Sequence, residues 1–136
     1  MTRVLLALAA LALGSGPALA DETCPFPGQQ PKLVVQLFFS QSVKGRGPVG
    51  PRAWQRFLTE TVTPALPAGF TVYDAYGQWM DPRTHALSRE QTKVIVVADD
   101  DTPEFRARVD RVASTYRRQF RQQSVGVLTN SGCGAF

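Results

Sequence analysis

The stretch that decides the fold runs from Lys93 to Phe120 and reads Lys-Val-Ile-Val-Val-Ala, then Asp-Asp-Asp-Thr-Pro-Glu, then a long amphipathic segment. Its β-branched run is typical of a strand buried on both faces. Thr102 followed by Pro103 predicts a helix start, because the hydroxyl can cap an orphan N–H and proline at the first helical position sacrifices no intrahelical bond. A buried helical stripe follows, made of Phe105, Val109, Val112, Ala113, Tyr116 and Phe120.

The remaining elements can be placed around this strand and helix. We predict strands at Leu33 to Phe39, Phe70 to Trp79 with a bulge at Gly77, and Ser124 to Leu128, and a helix from Arg52 to Val62 that Pro64 ends. A short arm at Leu87 to Glu90 leads into the Lys93 strand as the second leg of a hairpin. Right-handed crossovers applied to this βαββαβ order predict an α+β, ferredoxin-like fold, an antiparallel sheet of order 4-1-3-2 with both helices on one face.

On the other face of that sheet, the first strand should present either Gln36 and Phe38 or else Val35, Leu37 and Phe39. In either register this face carries large apolar side chains. An exposed apolar sheet face usually marks a partner or a ligand. We therefore expect either a homodimer that packs sheet to sheet or a pocket on this face.

The first residues predict an export signal. Arg3 supplies a positive region, Val4 to Leu13 an apolar region, and Ala18-Leu19-Ala20 a small-residue cleavage site. We expect a cleaved signal peptide at 1–20, an extended leader at 21–31 and a single domain with a C-terminal tail at 32–136. The protein is then periplasmic or secreted, with no membrane insertion after cleavage.

Cys24 and Cys133 are the two cysteines and lie far apart in the sequence. In an oxidising compartment two cysteines most simply pair, so we predict a disulfide. The alternative is a reactive or metal-binding thiol. The sequence has no Cys-x-x-Cys spacing, and His85 is its single histidine, so we predict no metal site and no cofactor. An exported protein rarely meets nucleic acid, so despite the net charge of +4 we expect no nucleic-acid partner and instead a small or anionic ligand.

Polar residues that the fold can gather are the candidate site residues. Glu90, Lys93 and Tyr116 are catalytic candidates, because a carboxylate beside a lysine can tune either group for acid–base work, although a plain ion pair explains the same residues. Ligand-binding candidates are Gln78, Trp79, Arg117, Gln123 and Ser124. A glycine-rich basic loop before the first helix, Lys44, Gly45, Arg46 and Gly47, is a candidate anion site, with a mobile surface loop as the alternative.

Several short runs together resemble a known family. They are Leu37-Phe38-Phe39-Ser40, Trp54 with Phe57-Leu58, Val62-Thr63-Pro64, Gly69-Phe70-Thr71-Val72, Gly77-Gln78-Trp79, Glu90 with Lys93, and Tyr116 with Phe120 and Gln122-Gln123-Ser124-Val125. The pattern resembles the small exported bacterial proteins catalogued as domain of unknown function three-five-seven-four, over roughly Lys32 to Leu128. The resemblance implies no activity.

Two function classes remain. The first is a non-enzymatic envelope module that binds a partner or a small ligand, favoured because no cofactor motif or nucleophile with its base is visible. The second is a cofactor-free enzyme of isomerase or oxygenase type, acting on an apolar substrate in a pocket between helix and sheet, which is an argument from fold alone. A buried polar cluster next to a pocket would favour the enzyme.

Overall fold

The computed structural model describes residues 24–43 and 45–136, so the predicted signal peptide and Lys44 lie outside the described residues. Its elements are β1 (Gln30–Ser40), α1 (Pro51–Phe57), a π-helical segment (Leu58–Val62), α2 (Thr63–Ala65), β2 (Thr71–Met80), β3 (Leu87–Asp99), α3 (Pro103–Phe120) and β4 (Gly126–Gly134). The three helical pieces from 51 to 65 follow one another without a break. The predicted βαββαβ order is therefore confirmed.

The four strands form one antiparallel sheet in the order β2-β3-β1-β4, which is the predicted 4-1-3-2 order read from its other edge. The two apolar strands, β1 and β3, occupy the centre. Leu37 lies opposite Ile95 on one side and Val127 on the other. This register places Val35, Leu37 and Phe39 beneath the helices, and all three are buried.

Aromatic rings form the centre of the core between the sheet and the helices. The Phe39 ring lies 5.6 Å from Trp54, 5.8 Å from Phe57 and 4.8 Å from Tyr116, measured between ring centroids. Such tilted and edge-on pairs contribute about 0.5–1.5 kcal/mol each beyond their buried area. The predicted helical stripes therefore meet the sheet at a single aromatic cluster.

The first helical stretch continues through Pro64 to Ala65, so the predicted stop at Pro64 is wrong. Proline inside an α-helix clashes with the carbonyl four residues earlier and has no N–H to donate. Here the preceding turn is π-helical, and the N–H of Thr63 bonds to the carbonyl of Leu58, five residues back. The wider turn accommodates the ring, so the helix extends for one more residue beyond Pro64.

The start of α3 is as predicted. The Thr102 hydroxyl accepts a hydrogen bond from the N–H of Phe105 at 3.1 Å, and Pro103 is the first helical residue. The three aspartates before the helix are structural, because each forms an ion pair. Asp99 pairs with Arg108, Asp100 with Lys32 and Asp101 with Arg106, at 2.9, 2.7 and 2.6 Å.

The β2–β3 hairpin differs from the sequence prediction in two ways. Residues 71–80 pair with 87–96 without interruption, so there is no bulge at Gly77, and β3 is one strand from Leu87 onward instead of an arm followed by a strand. The turn is closed by Asp81, whose carboxylate accepts from the N–H groups of Arg83 and Thr84 at 2.8 and 3.0 Å. These backbone bonds, that of Thr84 first, lower the pKa of Asp81.

The far end of this hairpin has only two strands. β1 pairs with β3 as far as Ser40 opposite Thr92, while β2 pairs with β3 down to Met80 opposite Leu87. Residues 76–80 and 87–91 therefore extend past the central strand. We call residues 76–91 the hairpin arm.

The predicted disulfide is present. Cys24 and Cys133 are joined with a Cα–Cα distance of 5.6 Å across 109 residues of sequence. The last strand, predicted at Ser124 to Leu128, lies instead at Gly126–Gly134, and its second half pairs with the beginning of β1, Cys133 opposite Pro31. β4 is an exposed edge strand, so its second half is made of small and polar residues and lacks the apolar pattern by which strands are predicted. The disulfide fits an oxidising compartment.

No helix within residues 24–43 and 45–136 combines the length and the apolar character that crossing a membrane requires.

Candidate functional site

The sheet face away from the helices, here called the open face, is uncovered. The alternation along each strand puts Phe38, Ser40, Tyr73, Ala75, Gly77, Trp79, Glu90, Thr92, Val94 and Leu128 on this face. Trp79 is 51% exposed, and Tyr73 and Leu128 are exposed to a similar degree. The sequence predicted large apolar side chains on this face, and Phe38, Tyr73, Trp79 and Leu128 are those side chains.

Small residues among the large ones form a depression in the open face, a cavity of about 320 Å³ walled by Phe38 and Trp79. Gly77 lies at its floor, directly opposite Glu90. A Cβ at Gly77 would lie 3.3 Å from the Thr92 hydroxyl and 3.5 Å from Cγ of Glu90. The glycine therefore keeps open the space in front of these two polar side chains. We call this cavity the depression.

Glu90 supplies the negative charge of the depression. Its Oε2 accepts a hydrogen bond of 2.6 Å from the Ser40 hydroxyl, and Ser40 Oγ accepts in turn from the N–H of Ser42 at 3.2 Å. Among the ion pairs of the described residues, none involves Glu90. An uncompensated carboxylate between aromatic walls is suited to a ligand that carries a positive charge or hydrogen-bond donors.

A buried polar group supports the depression from the helix side. Tyr116 is fully buried and donates its hydroxyl hydrogen to the carbonyl of Ser40 at 2.7 Å. The side-chain amide of Gln41 donates to the Tyr116 oxygen at 3.1 Å and to the carbonyl of Phe39 at 3.0 Å. Burial raises the pKa of Tyr116, so this predicted catalytic candidate is a hydrogen-bond donor at neutral pH and not a base.

A second cavity, also of about 320 Å³, lies on the helix side of the sheet, beside α1. Gln41 and Trp54 line it, together with the ion pair between Lys93 and Asp74. Lys93 points to this side, since it shares the alternation of Ile95, whereas Glu90 points to the open face. The structure therefore does not bring Glu90 and Lys93 together as an acid–base pair.

The predicted ligand-binding residues divide into two groups. Gln78 and Trp79 both border the depression, and Gln78 accepts a hydrogen bond of 2.9 Å from Nε of Arg89. Arg117 and Gln123 lie instead in a shallow groove at the end of α3, and Ser124 is exposed in the loop before β4. The five residues do not form one site.

The glycine-rich loop is exposed at Gly45, Arg46 and Gly47, and Lys44 lies outside the described residues. Residues 48–50 separate this loop from the start of α1, so its N–H groups do not continue directly into a helix N-terminus. Anion binding here stays a prediction. His85 is exposed in the hairpin turn, and across the described ranges there is no group of three His, Cys, Asp or Glu side chains placed to hold a metal ion.

The sequence placed Phe38 on the outward face in one of two registers, but it did not identify Ser40, Thr92 and Gln41 as site residues. Period-two spacing from Phe38 would also have placed Ser40 on the open face. Ser40 contacts Glu90 because β1 pairs with β3, and the two residues are 50 apart in the sequence. No local pattern carries that information.

A family model described as "Protein of unknown function (DUF3574)" matches residues 35–136. The chain belongs to this family. The resemblance noted in the sequence is thereby confirmed, and the family's description names no molecular activity. No curated protein matches the chain at a significant level.

Solved structures are similar to this chain at the level of the fold. A phage SAM lyase in complex with S-methyl-5'-thioadenosine has 14% identity and a TM-score of 0.58 over 77% of this chain and 90% of that chain. The apo state of a phage SAM lyase has 15% identity and a TM-score of 0.55 over 76% and 89% of the two chains. CutA from Synechococcus elongatus has 10% identity and a TM-score of 0.50 over 77% and 80%. At these identities the similarity shows the fold alone.

Proposed function

We propose that this protein is an exported, non-enzymatic module that binds one small planar ligand in the depression, with a positively charged or hydrogen-bond-donating group of the ligand against Glu90. The observation that carries the proposal is the Glu90 carboxylate, which has no ion-pair partner in the described part of the chain and lies beside the exposed ring of Trp79. The predicted signal peptide and the disulfide support export.

The size and chemistry of the depression limit the ligand. A cavity of about 320 Å³ is at the lower end of ligand pockets and suits one or two fused rings. A cation over an aromatic face contributes about 0.5–2 kcal/mol, and a hydrogen bond to a charged group about 1.5–3 kcal/mol. At the upper end of these ranges the two terms together give about 4–5 kcal/mol, so the dissociation constant for a simple probe should be about 0.2–1 mM.

Three probes separate the contributions of ring and charge. Phenethylamine carries a ring and a cation, and phenylacetate a ring and an anion. S-methyl-5'-thioadenosine, which is bound by a protein of similar fold, offers a neutral planar ring with an amino donor. We expect binding in the order phenethylamine, S-methyl-5'-thioadenosine, phenylacetate.

The test is NMR titration of the oxidised mature protein, because each cavity contains one of the two tryptophans. Trp79 borders the depression and Trp54 lines the helix-side cavity, so their indole N–H signals report the two sites separately. Phenethylamine should shift the Trp79 signal, and Glu90→Gln should weaken this binding about tenfold, equal to about 1.4 kcal/mol. Glu60→Gln removes an exposed carboxylate from the first helical stretch by the same chemical change and should leave the affinity unaltered.

Equal affinities in Glu90→Gln and the parent protein, or shifts confined to other parts of the molecule, would refute the proposal.

The enzyme alternative has one observation in its favour. Gln41 is a buried polar residue that lines the helix-side cavity and hydrogen-bonds to Tyr116. If phenylacetate shifts the Trp54 signal and not that of Trp79, the functional cavity is the one beside Lys93. Conversion of a bound probe, detected by mass spectrometry and abolished by Lys93→Met but not by Glu90→Gln, would then establish an enzyme.

A further inference from the structure

We propose that this protein assembles into a closed ring of identical subunits, in which the helix-side surface of each hairpin arm packs on the open face of the next copy. This inference goes beyond the proposed ligand site, shares Glu90 with it, and can fail without it.

The hairpin arm carries the first half of this contact. Its side facing in the direction of the helices bears Tyr76, Met80 and Leu87, which are 60%, 57% and 44% exposed. The register confirms that these three share one side, since they follow the alternation of Asp74 and Lys93. A two-stranded ribbon is only marginally stable in water by itself, and large exposed apolar groups mark interaction sites. The arm therefore needs an apolar surface to pack against.

The open face is the second half. Tyr73, Leu128 and Phe38 present apolar area there, around the depression. The arm surface and the open face lie on opposite sides of the same sheet, so they cannot cover each other within one chain. They are two separate apolar surfaces on one molecule, each without a partner in the described structure.

The arrangement of these surfaces decides between two modes of self-association. The sheet-to-sheet dimer expected from the sequence would cover the open face but leave Tyr76, Met80 and Leu87 in water. A head-to-tail contact, arm on open face, covers both surfaces of every subunit. Such a heterologous contact repeats from copy to copy and closes into a ring when the rotation between copies permits it.

Charge complementarity favours a second copy of this chain as the occupant. Arg89 lies on the same side of the arm as Met80 and Leu87, and its hydrogen bond goes to the neutral Gln78. Neither Arg89 nor Glu90 takes part in an ion pair within the described ranges. When the arm rests on the open face of the next copy, the guanidinium can meet the carboxylate of Glu90 there, which fixes orientation and excludes other partners.

The two proposals share Glu90 and make different predictions. A cationic ligand and Arg89 of the neighbouring copy compete for the same carboxylate, so bound phenethylamine should weaken the ring. A protein that binds phenethylamine but remains monomeric refutes the ring alone. If the protein forms the ring, and the monomer obtained by substituting Met80 and Leu87 with serine binds none of the probes, the ligand proposal alone is refuted.

The first experiment measures the mass of the oxidised mature protein by light scattering after size exclusion, at about 10 and 100 µM. We expect a defined multiple of the subunit mass. The double substitution Met80→Ser with Leu87→Ser should give monomers with an unchanged far-ultraviolet circular dichroism spectrum. The control Val127→Ser alters a residue that is 52% exposed on β4, on the helix side and away from both surfaces, and should leave the mass unchanged. A monomeric parent protein at both concentrations, or a mass that survives the double substitution, would overturn the proposal.

The second experiment distinguishes the mode of contact. Both native cysteines are in the disulfide, so introduced cysteines report new contacts. A chain with both Phe38→Cys and Met80→Cys should form a ladder of crosslinked species up to the ring under mild oxidation, and each single variant should form none. Crosslinked dimers from Phe38→Cys alone would show the sheet-to-sheet dimer, and from Met80→Cys alone an arm-to-arm contact. Either result contradicts the ring.

Discussion

Replacing both cysteines with serine should cost this domain a large part of its stability. The disulfide between Cys24 and Cys133 closes a loop of 109 residues. In the chain-entropy model a loop of this length restricts the unfolded chain by about 16 cal/mol/K, which is about 4.8 kcal/mol at 25 °C. A domain of this size has an unfolding entropy of about 2.1 cal/mol/K per residue near its midpoint, so the expected fall in Tm is about 20 °C. The free energy of unfolding of a typical domain is about 5–15 kcal/mol, so the loss would remove a large fraction of it.

The assay is urea unfolding of the mature protein, comparing the parent with Cys24→Ser, Cys133→Ser and the double variant. Because either single substitution already opens the loop, all three variants should lose the same free energy, and the two single losses should not add. The urea dependence of the unfolding free energy should rise in the variants, since their unfolded chains are less compact. A double variant that loses less than about 1 kcal/mol, or single losses that sum to the double loss, would refute the reasoning.

Tyr116 and Asp81 give three further expected outcomes. Tyr116→Phe removes the donor to the Ser40 carbonyl and one acceptor of Gln41, and should cost about 1–3 kcal/mol in urea unfolding. Because burial raises the pKa of Tyr116, the parent should also lose stability above pH 10 through this residue, a loss that the phenylalanine variant lacks. The pKa of Asp81 is lowered from 3.8 by turn N–H groups, so the unfolded chain binds the proton first as the pH falls, and the stabilisation present above about pH 4 is lost below it. In Asp81→Asn the urea midpoint should therefore decline less between pH 5 and pH 2, and an identical decline would contradict the role of the turn.

The sequence predicted the elements whose signals are local. The Thr102 and Pro103 start of α3 and the apolar runs of β1 and β3 are properties of a few adjacent residues, and the topology followed from their order and from the handedness of crossovers. Where local rules compete with packing, the prediction was wrong. Pro64 is a helix breaker by its own chemistry, but a π turn accommodates it. A glycine inside a strand suggests a bulge, but Gly77 pairs regularly with Glu90. A side chain at this position would enter the depression and meet Thr92 and Glu90.

The candidate site was harder to predict than the fold. Trp79, Gln78 and Glu90 were identified because they are polar or aromatic residues clustered around the predicted hairpin. Ser40 was not, since its contact with Glu90 joins two neighbouring strands, β1 and β3, whose residues lie 50 apart in the sequence. The hypothesis that paired Glu90 with Lys93 left open whether they share a face, and their odd spacing in β3 puts the two side chains on opposite faces.

The pairing of β1 also has a consequence for how this chain folds. β1 lies between β3 and β4, so Leu33 contacts Asp99 on one side and Ser131 on the other, both far away in the sequence. The β2–β3 hairpin is local and can form in about 1–10 μs, whereas contacts of high sequence separation form slowly, on the order of milliseconds to seconds. Throughout that interval the apolar run from Leu33 to Phe39 has neither neighbour. β1 is synthesised first and is among the last strands to be paired. The time that β1 spends unpaired, more than the stability of the folded state, therefore governs how readily the chain aggregates with other unfolded copies.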